Sequence, residues 1–225
     1  GYIHISHIAP AASASASAAG MARYMRMLLN GGTLDGVTIL APETFSEMTS
    51  VSFRNAPESG AMAHGFFVRR YGGLASLEHD GAALNFFSNM VIWPEAGLGV
   101  FVAVNTASGT PLVNALPRLI IEHFVPEAQP SDPKGLDISP EEADALSGAF
   151  LPERRNRSTF EGFLYRLYET GGIAVRRDGT IAVTTGDSTA RYVLESPDVL
   201  RALESGVHGV LVPRANPSRH LRFLR

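Results

Sequence analysis

Residues 86–93 and 98–104 are two almost wholly apolar runs joined by Pro94, Glu95, Ala96 and Gly97. A four-residue joint from proline to glycine reverses the chain, so the two runs pair as an antiparallel hairpin. Neither run alternates polar with apolar positions, which implies burial on both faces. A sheet buried in this way needs helices packed on it, and the chain is expected to fold as an α+β protein with an antiparallel sheet flanked by helices.

Upstream, residues 66–68 and 74–77 flank Gly72 and Gly73 as the arms of another hairpin. Next come His79, Asp80 and Gly81, then Ala82 and the apolar run. A histidine can donate or accept a hydrogen bond, and a glycine two residues on lets a second molecule approach the backbone. The N–H of Ala82 is then available to an oxyanion. The same residues also read as a plain turn at Asp80-Gly81 with His79 half-exposed on a strand.

Helices come before and after. Met21, Tyr24, Met25, Leu28 and Leu29 recur at helical spacing behind Ser17, a candidate N-cap, and Gly31-Gly32 ends the pattern. Residues 40–51 form a short helix opened by Pro42. Residues 111–124 form a longer one with Leu112, Leu116, Leu119, Ile120 and Phe124 on one face and a kink expected at Pro117.

Residues 126–140 hold Pro126, Pro130, Pro133 and Pro140 and read as a linker. A short helix opens at Ser139. Short β-like runs follow at 172–175, 180–184, 191–194 and 209–212, with a turn at Arg177-Asp178-Gly179. Their close spacing points to a small antiparallel barrel or sandwich. The division expected is therefore 1–125, a linker at 126–140, and a β-domain at 141–225.

The chain has 225 residues, 45% of them hydrophobic and 18% charged, with a formal net charge of −3, so nothing suggests nucleic-acid binding. No apolar run reaches the roughly 20 residues of a membrane-spanning helix. With no cysteine there are neither disulfides nor thiolate metal sites, and the compartment cannot be read from redox chemistry. His4 and His7 lie in a strand-like alternation with no third ligand at useful spacing, so no metal is expected there. Arg154, Arg155 and Arg157 offer an anion site or, more simply, a solvated hairpin face. No cofactor is expected.

Several pieces occur in a telling order: Pro10 to Ser13, Ser17 with Gly20 to Met25, Leu40 to Thr44, His79-Asp80-Gly81, Trp93 to Val100, and Asn105. Together they resemble the C-terminal half of the serine β-lactamase-like hydrolases, which include class C β-lactamases, penicillin-binding proteins, D-aminopeptidases and related esterases. The resemblance covers about the first 125 residues. It implies that His79-Asp80-Gly81 is the third box of the family's site, with His79 and Gly81 positioning the substrate and the Ala82 N–H as one of two oxyanion donors.

The family's other two boxes are not found. The only Ser-x-x-Lys is Ser131 to Lys134, in the proline-rich stretch and after the third box, and no Tyr or Ser is followed two residues on by Asn. The family's acid three residues after the N-cap is Gly20 here, which weakens the first helical turn. The chain thus resembles the back half of an enzyme, an incomplete β-lactamase-like domain. Its expected partners are the missing N-terminal half, a small-molecule or peptide substrate, or a second copy of itself. A histidine rather than a lysine in the third box disfavours a dedicated β-lactamase. Leu146 to Phe150 with Arg154 to Asn156 resemble the start of the lipocalin-like β-domain that some of these hydrolases append. By resemblance the setting would be the bacterial periplasm or cell envelope.

Two functions follow. One is the third-box portion of a serine hydrolase that cleaves an amide, β-lactam or ester through an acyl-serine. The alternative is a non-catalytic binding or interaction module built on the β-domain.

Overall fold

The structure is a computed structural model that describes residues 14–54, 59–71, 73–128, 135–150, 160, 171–203, 208–212 and 220–223. The pairs His4/His7 and Ser131/Lys134 and the Arg154 cluster lie outside these residues. Two compact units are present, one of residues 1–53 and 61–129 and the other of 54–60 and 130–225. The fold is mixed α and β with antiparallel sheets, as the sequence implies.

In the first unit, helix α1 (Ala18–Leu29) is capped by Ser17, whose hydroxyl accepts the Gly20 N–H at 3.1 Å. No acidic residue sits in its first turn. At the other end the Gly32 N–H reaches the Met27 carbonyl and the Gly31 N–H the Leu28 carbonyl, with both glycines at positive φ. That double closure is why the helix stops at the glycine pair. Strands β1 (Thr33–Leu34) and β2 (Val37–Thr38) make a separate ribbon, and helix α2 (Pro42–Thr49) begins at its proline.

The main sheet runs in chain order through β3 (Phe53–Arg54), β4 (Ala61–Met62), β5 (Phe67–Tyr71), β6 (Leu74–Ala83), β7 (Phe86–Trp93) and β8 (Leu98–Val104). Met90 and Ile92 face one way and pack with Met25, Met27 and Leu28 of α1. Val91 and Trp93 face the other way, against Ile121 of helix α3 (Thr110–Phe124). Residues 89–93 are therefore buried in succession, but the expectation of burial along the whole run fails at its start, where Phe86 is exposed and Phe87 and Ser88 are only half-buried. Strand β8 departs from that expectation and is buried chiefly at Val100 and Val102. At Gly99 α1 comes close enough that a Cβ would lie 3.2 Å from the Met25 sulfur and 3.2 Å from Ile92 Cγ2.

Two helix faces differ from expectation. In α1 the buried residues are Met25, Met27 and Leu28, while Tyr24 is exposed. In α3 they are Val113, Pro117 and Ile121, and Leu112, Leu119 and Phe124 are exposed. Hydrophobic spacing in α3 fits two rows, and the sheet selects the one containing Pro117. The helix runs through that proline unbroken.

In the second unit, helix α4 (Pro140–Leu146) carries a full capping box: the Ser139 hydroxyl accepts the Glu142 N–H, and the Glu142 carboxylate accepts the Ser139 N–H. A seven-strand antiparallel meander follows in chain order: β9 (Gly148–Phe150), β10 (Gly171–Val175), β11 (Ile181–Thr185), β12 (Ser188–Ser196), β13 (Val199–Ala202), β14 (His208–Val212) and β15 (His220–Phe223). Ile173, Ile181, Val183, Leu194 and Leu200 fill its core. The turn at Asp178 forms as expected, with its carboxylate accepting from the Thr180 N–H and hydroxyl.

Candidate active site

His79, Gly81 and Ala82 all lie on β6, which continues straight through Asp80-Gly81 to Ala83. The turn therefore falls at Leu84-Asn85, and the alternative reading of Asp80-Gly81 as a turn is incorrect. Strand β5 pairs with β6 only as far as Phe67 opposite Glu78. From His79 onward β6 has β7 on one side, and among the described residues its other edge is unpaired. This open half-strand is the exposed part of β6: His79, Asp80, Gly81 and Ala82 are all solvent-accessible, whereas Ser76, Leu77 and Glu78 are buried.

Side chains alternate along this strand, so His79 and Gly81 share one face and Glu78 and Asp80 the other. His79 Nδ1 lies 2.7 Å from the Asp80 carbonyl oxygen. A carbonyl only accepts, so Nδ1 carries a proton in this contact and Nε2 points away from it. The ring centroid stands 6.2 Å from that of Phe67. Opposite Gly81 on β7 is Ser88, and a Cβ on Gly81 would come within 2.7 Å of its hydroxyl oxygen. A side chain on Gly81 would therefore oblige the Ser88 hydroxyl to turn aside.

The strand is pinned just before it leaves β5. Glu78, only 2% exposed, pairs with Arg69 at 2.9 Å and accepts a hydrogen bond from the Ser76 hydroxyl at 2.6 Å. Burial pushes the neighbouring Tyr71 phenol well above its ordinary pKa. The Glu78 carboxylate acts in the same direction, and Arg69 opposes it. Tyr71 also meets the Trp93 ring edge-on, with centroids 5.4 Å apart. The buried ion pair fixes the backbone one residue before His79, on the opposite face.

The candidates named from the sequence, His79, Gly81 and Ala82, lie together on β6, and beside them stand Ser88 and the Arg69–Glu78 pair, which the sequence did not single out. Ser88 becomes visible only with the register of the hairpin, and Glu78 only by placing it on the face opposite His79. Among the described residues no group of three acidic or histidine side chains is placed to hold a metal, and no helix is long and apolar enough to cross a membrane.

The first unit is thus an antiparallel sheet with helices on both faces, with His79 and Gly81 on the half of β6 that β5 does not pair. The model of the family described as Beta-lactamase matches residues 2–124, more than half of the chain, and the protein belongs to that family. No curated protein matches it. Among solved structures it is similar to SurE with D-Leu, at 17% identity over 87% of this chain and 44% of that one, with a TM-score of 0.48. It is also similar to the octameric penicillin-binding protein homologue from Pyrococcus abyssi, at 13% identity over 92% and 46%, with a TM-score of 0.40. The chain spans less than half the length of either structure.

Proposed function

We propose that this chain is the third-box portion of a serine hydrolase acting by acyl transfer on an amide, β-lactam or ester, with the nucleophile supplied from outside it. The observation that carries the reading is the open edge of β6, where an exposed histidine and a side-chain-free glycine stand together on a rigid strand. In this reading a serine oxygen adds to the substrate carbonyl, its proton passes to a base, the leaving group departs, and water then releases the acid. The developing oxyanion is held by the Ala82 N–H and a second donor. His79 orients the substrate through Nε2 rather than as the fixed cation a lysine would provide. Glu78 and Arg69 keep that strand in place.

The partner in this reading is the N-terminal portion of the same enzyme. Leu112 and Leu119, exposed together on one face of α3, support such a partner, since apolar side chains paired in this way are ordinarily covered. The test uses the complete protein. A fluorophosphonate should label one serine outside this chain and leave the isolated chain unlabelled, and turnover of a p-nitrophenyl ester should show kcat/KM lowered about 10²-fold in His79→Ala. Labelling of the isolated chain, or an unaltered kcat/KM in His79→Ala, would overturn the reading.

A further inference from the structure

We infer that the tip of the β6–β7 hairpin, Leu84 with Phe86, is the specificity element of this site and receives an apolar substituent carried on the substrate's carbonyl. The inference rests on the acyl-transfer reading above.

Leu84 is the first residue of the two-residue connection between Ala83 and Phe86, and it adopts φ +53. This left-handed conformation is disfavoured for a bulky side chain, and glycine, asparagine or aspartate ordinarily occupies it. The leucine gains nothing from the fold in return, because 68% of it remains exposed. Phe86, at 61%, is likewise uncovered. A strained leucine and an open phenylalanine at one hairpin tip cost stability and solubility, and neither belongs to a packed cluster of the unit. Such outliers persist where a function uses them.

Their position relative to the box identifies the function. Phe86 alternates with Ser88, so it shares the face of Gly81 and His79, and it stands two residues from the rung where Ser88 meets Gly81. Two residues of strand span about 7 Å. A carbonyl held at the Ala82 N–H therefore has Phe86 and Leu84 within reach of a chain of several carbons but not of a methyl group. The segment between offers only Ala82 and Ala83, with no charge, whereas the polar groups His79 and Asp80 lie at the other end of the box. The site is thus polar toward His79, and toward the hairpin tip it presents Leu84 and Phe86 with Asn85 as the one polar side chain.

The experiment compares p-nitrophenyl hexanoate with p-nitrophenyl acetate as substrates of the complete protein, as wild type, Phe86→Ala and Leu84→Gly. Leu84→Gly removes the side chain while relieving the left-handed backbone, so its folding is not at risk. Both variants should lower the hexanoate-to-acetate ratio of kcat/KM about tenfold, the scale for an apolar contact with one or two methylenes. A ratio unchanged in Leu84→Gly, or both esters slowed equally in both variants, would overturn the inference and leave the hydrolase reading standing. A wild type that turns over neither ester and takes no fluorophosphonate would overturn both.

Discussion

Replacing Gly81 by alanine separates the strand's stability from its chemistry. The new Cβ would stand 2.7 Å from the Ser88 oxygen, whereas ordinary contact begins at 3.4 Å, so one of the two must move. Backbone movement is opposed by pairing with β7 on both sides of the rung, Asp80 with Asn89 and Ala82 with Phe87. The Ser88 hydroxyl has no hydrogen-bond partner among the described residues, and rotation about χ1 carries it into another staggered position. A residual distortion costs about 1 kcal/mol, and replacing a strand glycine returns roughly 0.5–1 kcal/mol of chain entropy. Urea unfolding of the isolated chain should therefore show Gly81→Ala within about 1 kcal/mol of the parent. The methyl nonetheless occupies the approach to the β6 backbone, and kcat/KM of the complete protein should fall about 10²-fold or more. Adding Ser88→Ala should remove any stability loss without restoring activity. A loss of more than about 3 kcal/mol in Gly81→Ala would show that Gly81 serves packing, and undiminished turnover would show that no substrate approaches the strand there.

Gly20→Glu should stabilise α1 by about 1 kcal/mol, because it removes a helical glycine and completes a capping box with Ser17; a melting temperature higher by about 2–4 °C is the expected reading. The Asp178 carboxyl is held below its ordinary value by the Thr180 hydroxyl and N–H, so its contribution is present above the ordinary carboxylate range and is lost as pH falls through the depressed value. Thermal melts from about pH 5 down to pH 2 should show that acid loss shrink in Asp178→Asn. The isolated chain should self-associate at micromolar concentration through Leu112 and Leu119, exposed on one face of α3, and Leu119→Glu should shift light scattering toward the monomer.

Legibility differed between strands and helices for a physical reason. Hairpins announce themselves locally: Pro94 to Gly97 and Arg177 to Gly179 hold their own turn chemistry, and the strands beside them paired as the sequence implied. A helix face is chosen by what it meets. In α3 the rows containing Leu112 and Val113 have similar spacing, and the sequence carries no sign that the sheet would take Val113, Pro117 and Ile121. The sequence alone leads one to expect a kink at Pro117. In the structure its ring serves as one more apolar knob against the sheet, at a position where the lost backbone hydrogen bond is offset by burial.

The candidate site was legible only as far as side-chain chemistry is written in order along the chain, which marks His79, Gly81 and Ala82 as candidates but not what surrounds them. Ser88 depends on register, and register depends on the turn, which Leu84 disguises by standing at φ +53 where a leucine is a poor choice. Once the connection is placed at Leu84-Asn85, counting back pairs Ala83 with Phe86 and Gly81 with Ser88, and every other rung follows. A shift of one residue would turn Phe86, Ser88 and Met90 to the other face and send Val91 toward α1. The large buried side chains on both faces, Ile92 and Trp93 among them, forbid that shift. The packing of the apolar run thus locks the rung at which Gly81 meets Ser88, and the local strain at Leu84 is tolerated because the rest of the sheet over-determines the register.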